Sequence, residues 1–465
     1  MLSLALIGIT LLWGNLMTLE EWKEKNKYAK KYAHFDRKIS LDKAWPYISN
    51  PDKVKHHGFY SFIHYTQEFT KYSHGIATTK TRELCYSAHI DRYIFSYYGF
   101  LINQKYNDRV IKDQINEVAI AYRNNLKRNN IHFAKQAIDF IRSLDSCYII
   151  LGDFKSFFDN LDHKYLKRML CDLLEVDKLP EDYYAVFKNI TKYSKWELTD
   201  ILSHYKLKNC KKDISKLNDK EIIFSINEYR NLRKNDIKKV RARKNEDPFG
   251  IPQGSAISAV LSNVYMLEAD KKLNEFVKVN KGLYMRYSDD IIIVFPKKTE
   301  ETFKDQYDTV MEILHSIKGV ELEKNKTQVF EYDNTELHSC NELVMKDVPN
   351  GLNQLHYLGF TFDGKEVIIR DKTTSKYYYR MYRKLKTIVK CKGITKNENH
   401  ISNREVYEKY SIKGACLVRD TSNKKGKGNF ISYVRRAQKI WGPNEPIDRS
   451  TKRHMLKIRR QLDKI

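Results

Sequence analysis

The period of the hydrophobic positions changes several times along the chain, and two of these changes place acidic residues at the ends of strands. Residues 148–151 form a continuous β-prone run that ends at Gly152 and Asp153, which predicts a buried strand with a carboxylate at its C-terminal end. Residues 283–287 and 291–295 are two further β-prone runs around a short polar turn. This pattern predicts a hairpin with two adjacent aspartates at its tip.

Other stretches have the spacing of helices. Residues 80–145 are mostly helical in pattern, with Ile90, Ile94, Tyr97 and Leu101 at positions i, i+4, i+7 and i+11. The glycine-flanked loop at 250–254 leads into one amphipathic helix whose apolar face runs from residue 257 to residue 267. Residues 356–364 predict another hairpin, and the rest of the chain is helical and basic. Thr18 and Glu21 predict a capping box at the start of an N-terminal helix.

Composition points to a polyanionic partner. The chain has 465 residues, of which 42% are hydrophobic and 31% charged, and its formal net charge is +26. These values exclude a disordered or collagen-like chain. Residues 370–465 contain 27 Lys or Arg against 8 acidic residues, so this end is the first candidate for a nucleic-acid surface. A second basic stretch, residues 176–245, is a candidate for binding RNA, although solvated helical surface explains such charges as well.

Cysteine usage and the N-terminus bear on the compartment. The seven cysteines are scattered and form no C-x-x-C pair, which predicts reduced thiols in a cytoplasmic protein without a zinc site. Residues 2–13 are apolar, too short to span a bilayer, and not preceded by basic residues. We therefore expect no membrane association, and Met17 is an alternative start to Met1.

Three carboxylates on strand ends are the ligands that a two-metal nucleotidyl-transfer centre needs. Asp153, Asp289 and Asp290 offer hard oxygen donors of the kind that Mg²⁺ prefers, with Mn²⁺ as a substitute. An Asp-Asp pair alone is common turn chemistry, because aspartate side chains bond their own backbone. The interpretation as a metal site therefore depends on the order of these residues along the chain and on the motifs that surround them.

The order of the motifs along this chain resembles that of reverse transcriptases. DFKSFFD at 153–159 resembles the first palm motif of the family, GIPQGS at 250–255 the second, and YSDD at 287–290 the third, a variant of the commoner YADD. LEKNKT at 322–327 and YLGF at 357–360 resemble the fourth and fifth. The resemblance implies an α+β fold, a right-hand polymerase with fingers, a palm of antiparallel sheet packed by helices, and a basic helical thumb.

The resemblance also implies a domain organisation. Residues 1–75 form an N-terminal segment, 76–146 the fingers, and 147–369 the palm, with the basic insert at 176–245. Residues 370–465 form the helical thumb and C-terminal nucleic-acid-binding region.

The family motifs imply roles for individual palm residues. Asp153, Asp289 and Asp290 would hold two metal ions, and the backbone of Phe154 would contribute beside them and border the triphosphate. Lys326 matches the lysine that protonates departing pyrophosphate, although a solvated lysine is an equally simple explanation in so basic a chain.

Further residues are implied to bind the nucleotide. Phe158 falls where the family places a bulky ring against the sugar C2′, which implies deoxynucleotides. On an extended strand successive side chains face opposite ways, so the ring of Phe157 would pack in the core while the ring of Phe158 excludes the ribose hydroxyl. Gln253 reaches the incoming nucleotide from its glycine-flanked loop. The cations Lys80, Arg82 and Arg123 lie in segments that resemble fingers motifs, and Arg82 is the first choice for gripping the triphosphate.

Several short motifs resemble the bacterial defence-associated branch, namely the abortive-infection and unknown-group reverse transcriptases. They are AYR at 121–123 with IHFA at 131–134, the serine of YSDD, GSAIS at 254–258 and GNFISY at 428–433. Membership implies antiphage defence, a dedicated structured noncoding RNA as template, dNTP substrates, a DNA product and a homo-oligomer. Some members start DNA on their own side chains, and the tyrosines at 377–379, 382 and 433 are candidates, although stacking or packing explains them more simply.

Two other functional classes remain open. An RNA-dependent RNA polymerase shares the palm carboxylates, but it selects the ribose hydroxyl with polar groups and has no ring like that of Phe158. A non-catalytic RNA-binding scaffold is disfavoured, because clustered carboxylates beside a polyanion are costly without a metal.

Overall fold

The computed structural model describes residues 17–28, 30–73, 76–234, 242–392, 403–412 and 428–464. The apolar stretch at 2–13 and the question of the start residue lie outside these ranges. Within them, no helix has the length and apolarity to cross a membrane. The predicted capping box is confirmed: Thr18 and Glu21 exchange side-chain and backbone hydrogen bonds at the start of the first helix.

Helices and strands alternate along most of the described chain. In chain order the helices are α1 (Leu19–Asn26), α2 (Leu41–Ile48), α3 (Pro51–Lys55), α4 (His89–Lys112), α5 (Asn130–Arg142), α6 (His163–Leu174), α7 (Glu181–Thr191), α8 (Leu198–His204), α9 (Lys211–Asn218), α10 (Ile226–Lys234), α11 (Ser258–Tyr265), α12 (Leu267–Val279), α13 (Glu300–His315), α14 (Asp371–Lys390), α15 (Asn403–Tyr410), α16 (Phe430–Trp441) and α17 (His454–Leu462). The strands are β1 (Phe62–Ser73), β2 (Ile76–Tyr86), β3 (Ser146–Asp153), β4 (Ser194–Glu197), β5 (Ala242–Lys244), β6 (Leu283–Tyr287), β7 (Asp290–Pro296), β8 (Gln328–Asp333), β9 (Glu336–Ser339), β10 (Leu355–Tyr357), β11 (Phe360–Phe362) and β12 (Val367–Ile369).

A five-stranded antiparallel sheet in the order β6-β7-β3-β8-β9 forms the centre of the molecule. The predicted strand β3 and the predicted hairpin of β6 and β7 are its middle, and they are buried because helices pack against the sheet. The hairpin of β8 and β9 was not predicted. Its strands alternate polar and apolar residues over only a few positions, so the signal is weak without the partner β3.

The N-terminal hairpin of β1 and β2 contradicts the helical period expected from residue 80. Residues 80–86 belong to β2, which pairs along its length with β1. The helix begins only at His89. Of the predicted stripe, Ile94 is buried, whereas Ile90, Tyr97 and Leu101 are only partly buried. The buried face also includes Tyr98 and Ile102. Aromatic residues on both faces of α4 hide which face is buried until its neighbours are known.

The basic stretch at 176–245 packs against that hairpin. Strand β4 runs parallel to β1, with Ile63 opposite Trp196, and β5 pairs with β4 at the sheet edge. Trp196 is fully buried and lies 5.1 Å from the ring of Phe35 and 5.4 Å from the ring of Phe224. An aromatic core therefore joins this stretch to the N-terminal part of the chain.

The helix after the glycine-flanked loop is divided. The predicted apolar face at residues 257–267 is buried, but α11 ends at Tyr265 and α12 begins at Leu267. The predicted hairpin near residue 360 is confirmed as β10 and β11, and β12 adds a third strand. Helices α14 to α17 follow and share a small apolar cluster around Met381 and Leu385.

Candidate active site

Two strand ends bring the predicted carboxylates together. Asp153 at the end of β3 lies directly opposite Asp290 at the start of β7. The backbone N–H of Phe154 donates to the carbonyl of Asp289 over 3.0 Å. Because cross-strand neighbours on one face are only about 4.5–5.5 Å apart at Cβ, the sheet itself places these acids in one cluster.

Burial and like charge act together on these acids. Burial raises the pKa of Asp289, and the neighbouring Asp153 adds to the rise. The Asp290 residue is exposed at the start of β7, but the protein that surrounds its carboxyl, followed by repulsion from Asp289 and Asp153, raises its pKa to about 7. The cluster therefore favours protons or cations.

Two cationic side chains face this cluster. The ammonium of Lys326 donates to the carboxylate of Asp153. Although partial burial opposes its charge, the contact with Asp153 raises the pKa of Lys326, so this lysine is protonated at neutral pH. Arg370 acts on Asp290 from the start of α14, where burial lowers the pKa of the arginine. Sequence reasoning found Lys326 but missed Arg370, which belongs to no motif.

The donor set fits a divalent cation. Hard carboxylate oxygens from adjacent strand ends, held close at an electrostatic cost, are ligands that Mg²⁺ and Mn²⁺ accept. The side chains are not already arranged as a coordination shell: within the described ranges, no three His, Cys, Asp or Glu side chains form a group that could hold a metal. The ammonium of Lys326 is the side-chain partner of Asp153.

The rings that follow Asp153 divide as predicted, although for a different reason. Phe154 and Phe157 are buried and 5.2 Å apart, while Phe158 is only partly buried. The extended strand expected here is wrong, because residues 157–159 form a 3₁₀ turn entered through Ser156 at φ 46°. The turn, and not strand alternation, separates the packed rings from the candidate gate.

The loop of Gln253 lies against two neighbouring segments. The backbone carbonyl of Gln253 accepts from the N–H of Cys85 over 2.8 Å, and the side chain of Gln253 forms a hydrogen bond with Asp159. Gly254 has φ +106°, and a Cβ there would meet the Cys85 carbonyl at 2.5 Å. The close approach predicted for this glycine is therefore real, but the partner in this structure is the protein backbone at the end of β2.

The three candidate phosphate-binding cations differ in their surroundings. Lys80 and Arg82 are exposed on β2, and the guanidinium of Arg82 lies 5.5 Å from the ring centre of Phe69. Arg123 is buried and makes four hydrogen bonds, which go to Asn107, Asn116 and Ala119. In this structure the Arg123 guanidinium is bonded to backbone carbonyls and asparagine side chains, whereas Lys80 and Arg82 present their charge to solvent.

Sequence reasoning also missed a buried ion pair beneath the aspartate turn. Arg286 on β6 and Asp270 on α12 are both fully buried and paired at 2.6 Å. A charged residue inside an apolar strand was the available signal, since such a residue needs a buried partner. Although burial opposes its charge, Asp270 raises the pKa of Arg286.

The basic C-terminal region presents arginines to solvent. The exposed members of α16 and α17, which we call the C-terminal arginines, are Arg435, Arg436, Arg459 and Arg460. Among the candidate priming tyrosines, Tyr377 and Tyr378 donate their hydroxyls to the carbonyls of Tyr410 and Ser450. These two therefore pack helices, whereas Tyr379 is 61% exposed.

Comparison with known proteins adds to this geometry. Residues 203–362 match the family model for reverse transcriptase (RNA-dependent DNA polymerase). The chain therefore contains a reverse transcriptase domain, which is a nucleotidyltransferase domain of a class that uses divalent metal ions. Together with the antiparallel sheet and its helices, this domain confirms the predicted α+β polymerase architecture. Asp153 lies before the matched range, and its place in the site follows from its pairing with Asp290.

Two solved telomerases are similar in structure. Apo telomerase from Candida tropicalis, truncated from the C-terminal domain, has 12% identity and a TM-score of 0.40, covering 65% of this chain and 54% of the telomerase. Telomerase from Candida albicans in complex with the TWJ fragment of telomeric RNA has 13% identity and a TM-score of 0.40, covering 90% and 59% respectively. The chain thus spans little more than half of either telomerase. A comparison with curated proteins gives no match.

Proposed function

We propose that the protein is an RNA-directed DNA polymerase that adds deoxynucleotides to a 3′-hydroxyl. The observation that carries the proposal is the pairing of Asp153 with Asp290, with Asp289 tied to Phe154, in a chain with a reverse transcriptase domain. In the proposed reaction the 3′-hydroxyl gives its proton to water, its oxygen bonds to the α-phosphorus, and the bond from that phosphorus to pyrophosphate breaks. Asp153, Asp289 and Asp290 would hold two Mg²⁺ ions, with Mn²⁺ as a substitute and the Phe154 backbone beside them.

Apart from Arg123, whose guanidinium is bonded within the protein, the candidate residues have roles in this proposal that their surroundings support. Bound divalent cations would activate the 3′-hydroxyl and stabilise the leaving pyrophosphate. Lys326, protonated beside Asp153, donates its proton to that pyrophosphate. The partly buried ring of Phe158 excludes a 2′-hydroxyl, and Gln253 borders the nucleotide. The exposed cations Lys80 and Arg82 bind the triphosphate. The guanidinium of Arg82 can hold two phosphate oxygens at once.

The partners are proposed from charge and from sequence resemblance. A net charge of +26 and the exposed C-terminal arginines suit an RNA template and a nucleic-acid product. The short motifs shared with the defence-associated branch support a dedicated structured noncoding RNA, antiphage defence, a cytoplasmic location and a homo-oligomer. Sequencing the RNA and DNA that co-purify with the protein would identify the template.

Substitution of the aspartates tests the polymerase proposal. Asp289→Asn or Asp153→Asn should abolish incorporation of labelled dNTP on an RNA template, because a neutral amide binds a hard cation weakly. Asp139→Asn is the matched control, since Asp139 lies on the exposed side of α5 in a surface pair with Lys135. We expect the control to keep wild-type activity.

Two results would contradict the proposal. Retention of more than about a tenth of wild-type incorporation by either aspartate variant would exclude the carboxylate assignment, because about 1.4 kcal/mol of lost transition-state binding already costs tenfold. Preferential incorporation of rNTP by the wild-type protein would favour the alternative of an RNA-dependent RNA polymerase.

A further inference from the structure

The turn that carries Asp289 has an unfavourable backbone conformation. Ser288, between β6 and β7, has φ +63°, in the left-handed region that is unfavourable for a residue other than glycine. Its backbone carbonyl accepts from the side chain of Arg286 on β6, and its side chain contacts Tyr122 from outside the hairpin. A strained turn persists only where the surrounding structure determines it, so these partners decide where Asp289 points.

The first partner comes from beneath the turn. Arg286 donates to the carbonyl of Ser288 over 3.0 Å and to the side-chain oxygen of Asn263 over 3.3 Å. The other side of the same guanidinium makes bonds of 2.8 and 2.6 Å to the two carboxylate oxygens of Asp270. Because this bidentate pair is fully buried, the guanidinium has a fixed orientation. Its hydrogen bond to the Ser288 carbonyl therefore fixes the position of the turn.

The second partner comes from the segment before α5. The hydroxyl of Tyr122 lies 3.1 Å from the hydroxyl of Ser288. Tyr122 is itself left-handed, with φ +63°, and 46% exposed. Its two neighbours are held by the protein: Asn263 donates to the carbonyl of Ala121, and Arg123 makes the four hydrogen bonds described above.

Both contacts act on Ser288. Asn263 takes part in both, because it accepts from Arg286 and donates to Ala121. The segment of Ala119 also pairs with Arg286 along the edge of β6. Burial alone does not account for an exposed aromatic residue held in a strained conformation, since its ring gains little from packing. Its hydroxyl contact with the turn does account for it.

We infer that Arg286 and Tyr122 are positioning residues that together fix the Ser288 turn and hence the carboxylate of Asp289. The inference rests on the proposed function for its effect on catalysis, but the clamp itself is a property of the fold. The hydroxyl contact needs serine between the tyrosine and the aspartates of YSDD. Where that position is alanine, as in the commoner YADD, this contact cannot form.

Two conservative variants and their combination test the clamp. Tyr122→Phe and Ser288→Ala each remove one hydroxyl, and the double variant removes both. Amide hydrogen exchange of a peptide spanning residues 283–292 reports the turn directly, and single-turnover dNTP incorporation reports its effect on catalysis. Tyr165→Phe is the control, because its hydroxyl bonds Glu268 on α12, away from the turn.

The clamp predicts a specific pattern. Each single variant should speed exchange in the turn about twofold to tenfold, as loss of one hydrogen bond does, and should lower the incorporation rate by a similar factor with little change in KM. The double variant should match Ser288→Ala, because that substitution already removes the contact with Tyr122 together with the hydrogen bond between Ser288 and Asp289. Arg286→Lys should have a larger effect on both exchange and incorporation than either hydroxyl variant, since lysine cannot make the bidentate pair.

The outcomes separate this inference from the proposed function. Unchanged exchange in Tyr122→Phe and Ser288→Ala, or additive effects in the double variant, would overturn the clamp. Faster exchange in the variants of a protein whose wild type makes no DNA would support the clamp and refute the polymerase proposal. If Arg286→Lys fails to fold, the two hydroxyl variants decide the matter, because each removes a single atom.

Discussion

Removal of the Asp270 carboxylate should destabilise the centre of the molecule far more than removal of a surface carboxylate. Asp270 is fully buried and accepts three hydrogen bonds, from the hydroxyl of Tyr284 and from two nitrogens of Arg286. Asp270→Ala leaves a guanidinium and a phenol without these partners inside the protein. Breaking a buried ion pair in this way costs about 3–5 kcal/mol.

Native-state hydrogen exchange is the suitable assay, because a chain of this size need not unfold in two states. A loss of about 4 kcal/mol should reduce the protection of the β7 amides by roughly three orders of magnitude, since about 1.4 kcal/mol corresponds to a factor of ten. Asp139→Ala is the control on an exposed helix pair, and it should change protection by less than about threefold.

A double replacement separates the cost of an unpaired charge from the worth of the pair. Asp270→Leu combined with Arg286→Met removes both charges, and apolar replacement of a buried pair is often neutral or stabilising. We therefore expect protection in the double variant to return most of the way to wild type while DNA synthesis stays low, because the Ser288 turn has lost its support. A loss of protection below about tenfold in Asp270→Ala would refute the reasoning.

Two further predictions concern substrate and partner. Phe158→Ala should raise the use of rNTP relative to dNTP by removing the ring from the sugar, whereas Phe157→Ala should only destabilise the packed rings; equal selectivity in both variants, measured by competing labelled nucleotides, would place the gate elsewhere. Reversal of the C-terminal arginines to glutamate should weaken RNA binding and reduce the slope of log affinity against log salt by about 0.7–0.9 for each lost phosphate contact; an unaltered slope would assign these arginines to solvated surface.

Local signals alone determined the parts of the fold in which sequence neighbours make the structure. The apolar run before Asp153 and the two runs around the aspartates gave the correct strands, because burial on both faces requires continuous apolar sequence. The Thr18 capping box needed only four adjacent residues. The order of the motifs likewise predicted that Asp153, Asp289 and Asp290 belong to one site.

Tertiary structure decided what depends on partners distant in sequence. Strand β2 has a helix-like pattern near residue 80 and is a strand because β1 pairs with it. Arg123 was predicted to bind nucleotide, but acceptors from Asn107 to Ala119 surround it. The pair of Arg286 with Asp270 also joins elements that no local period connects. A short motif specifies which groups a site contains, whereas their orientation depends on side chains that only packing brings together.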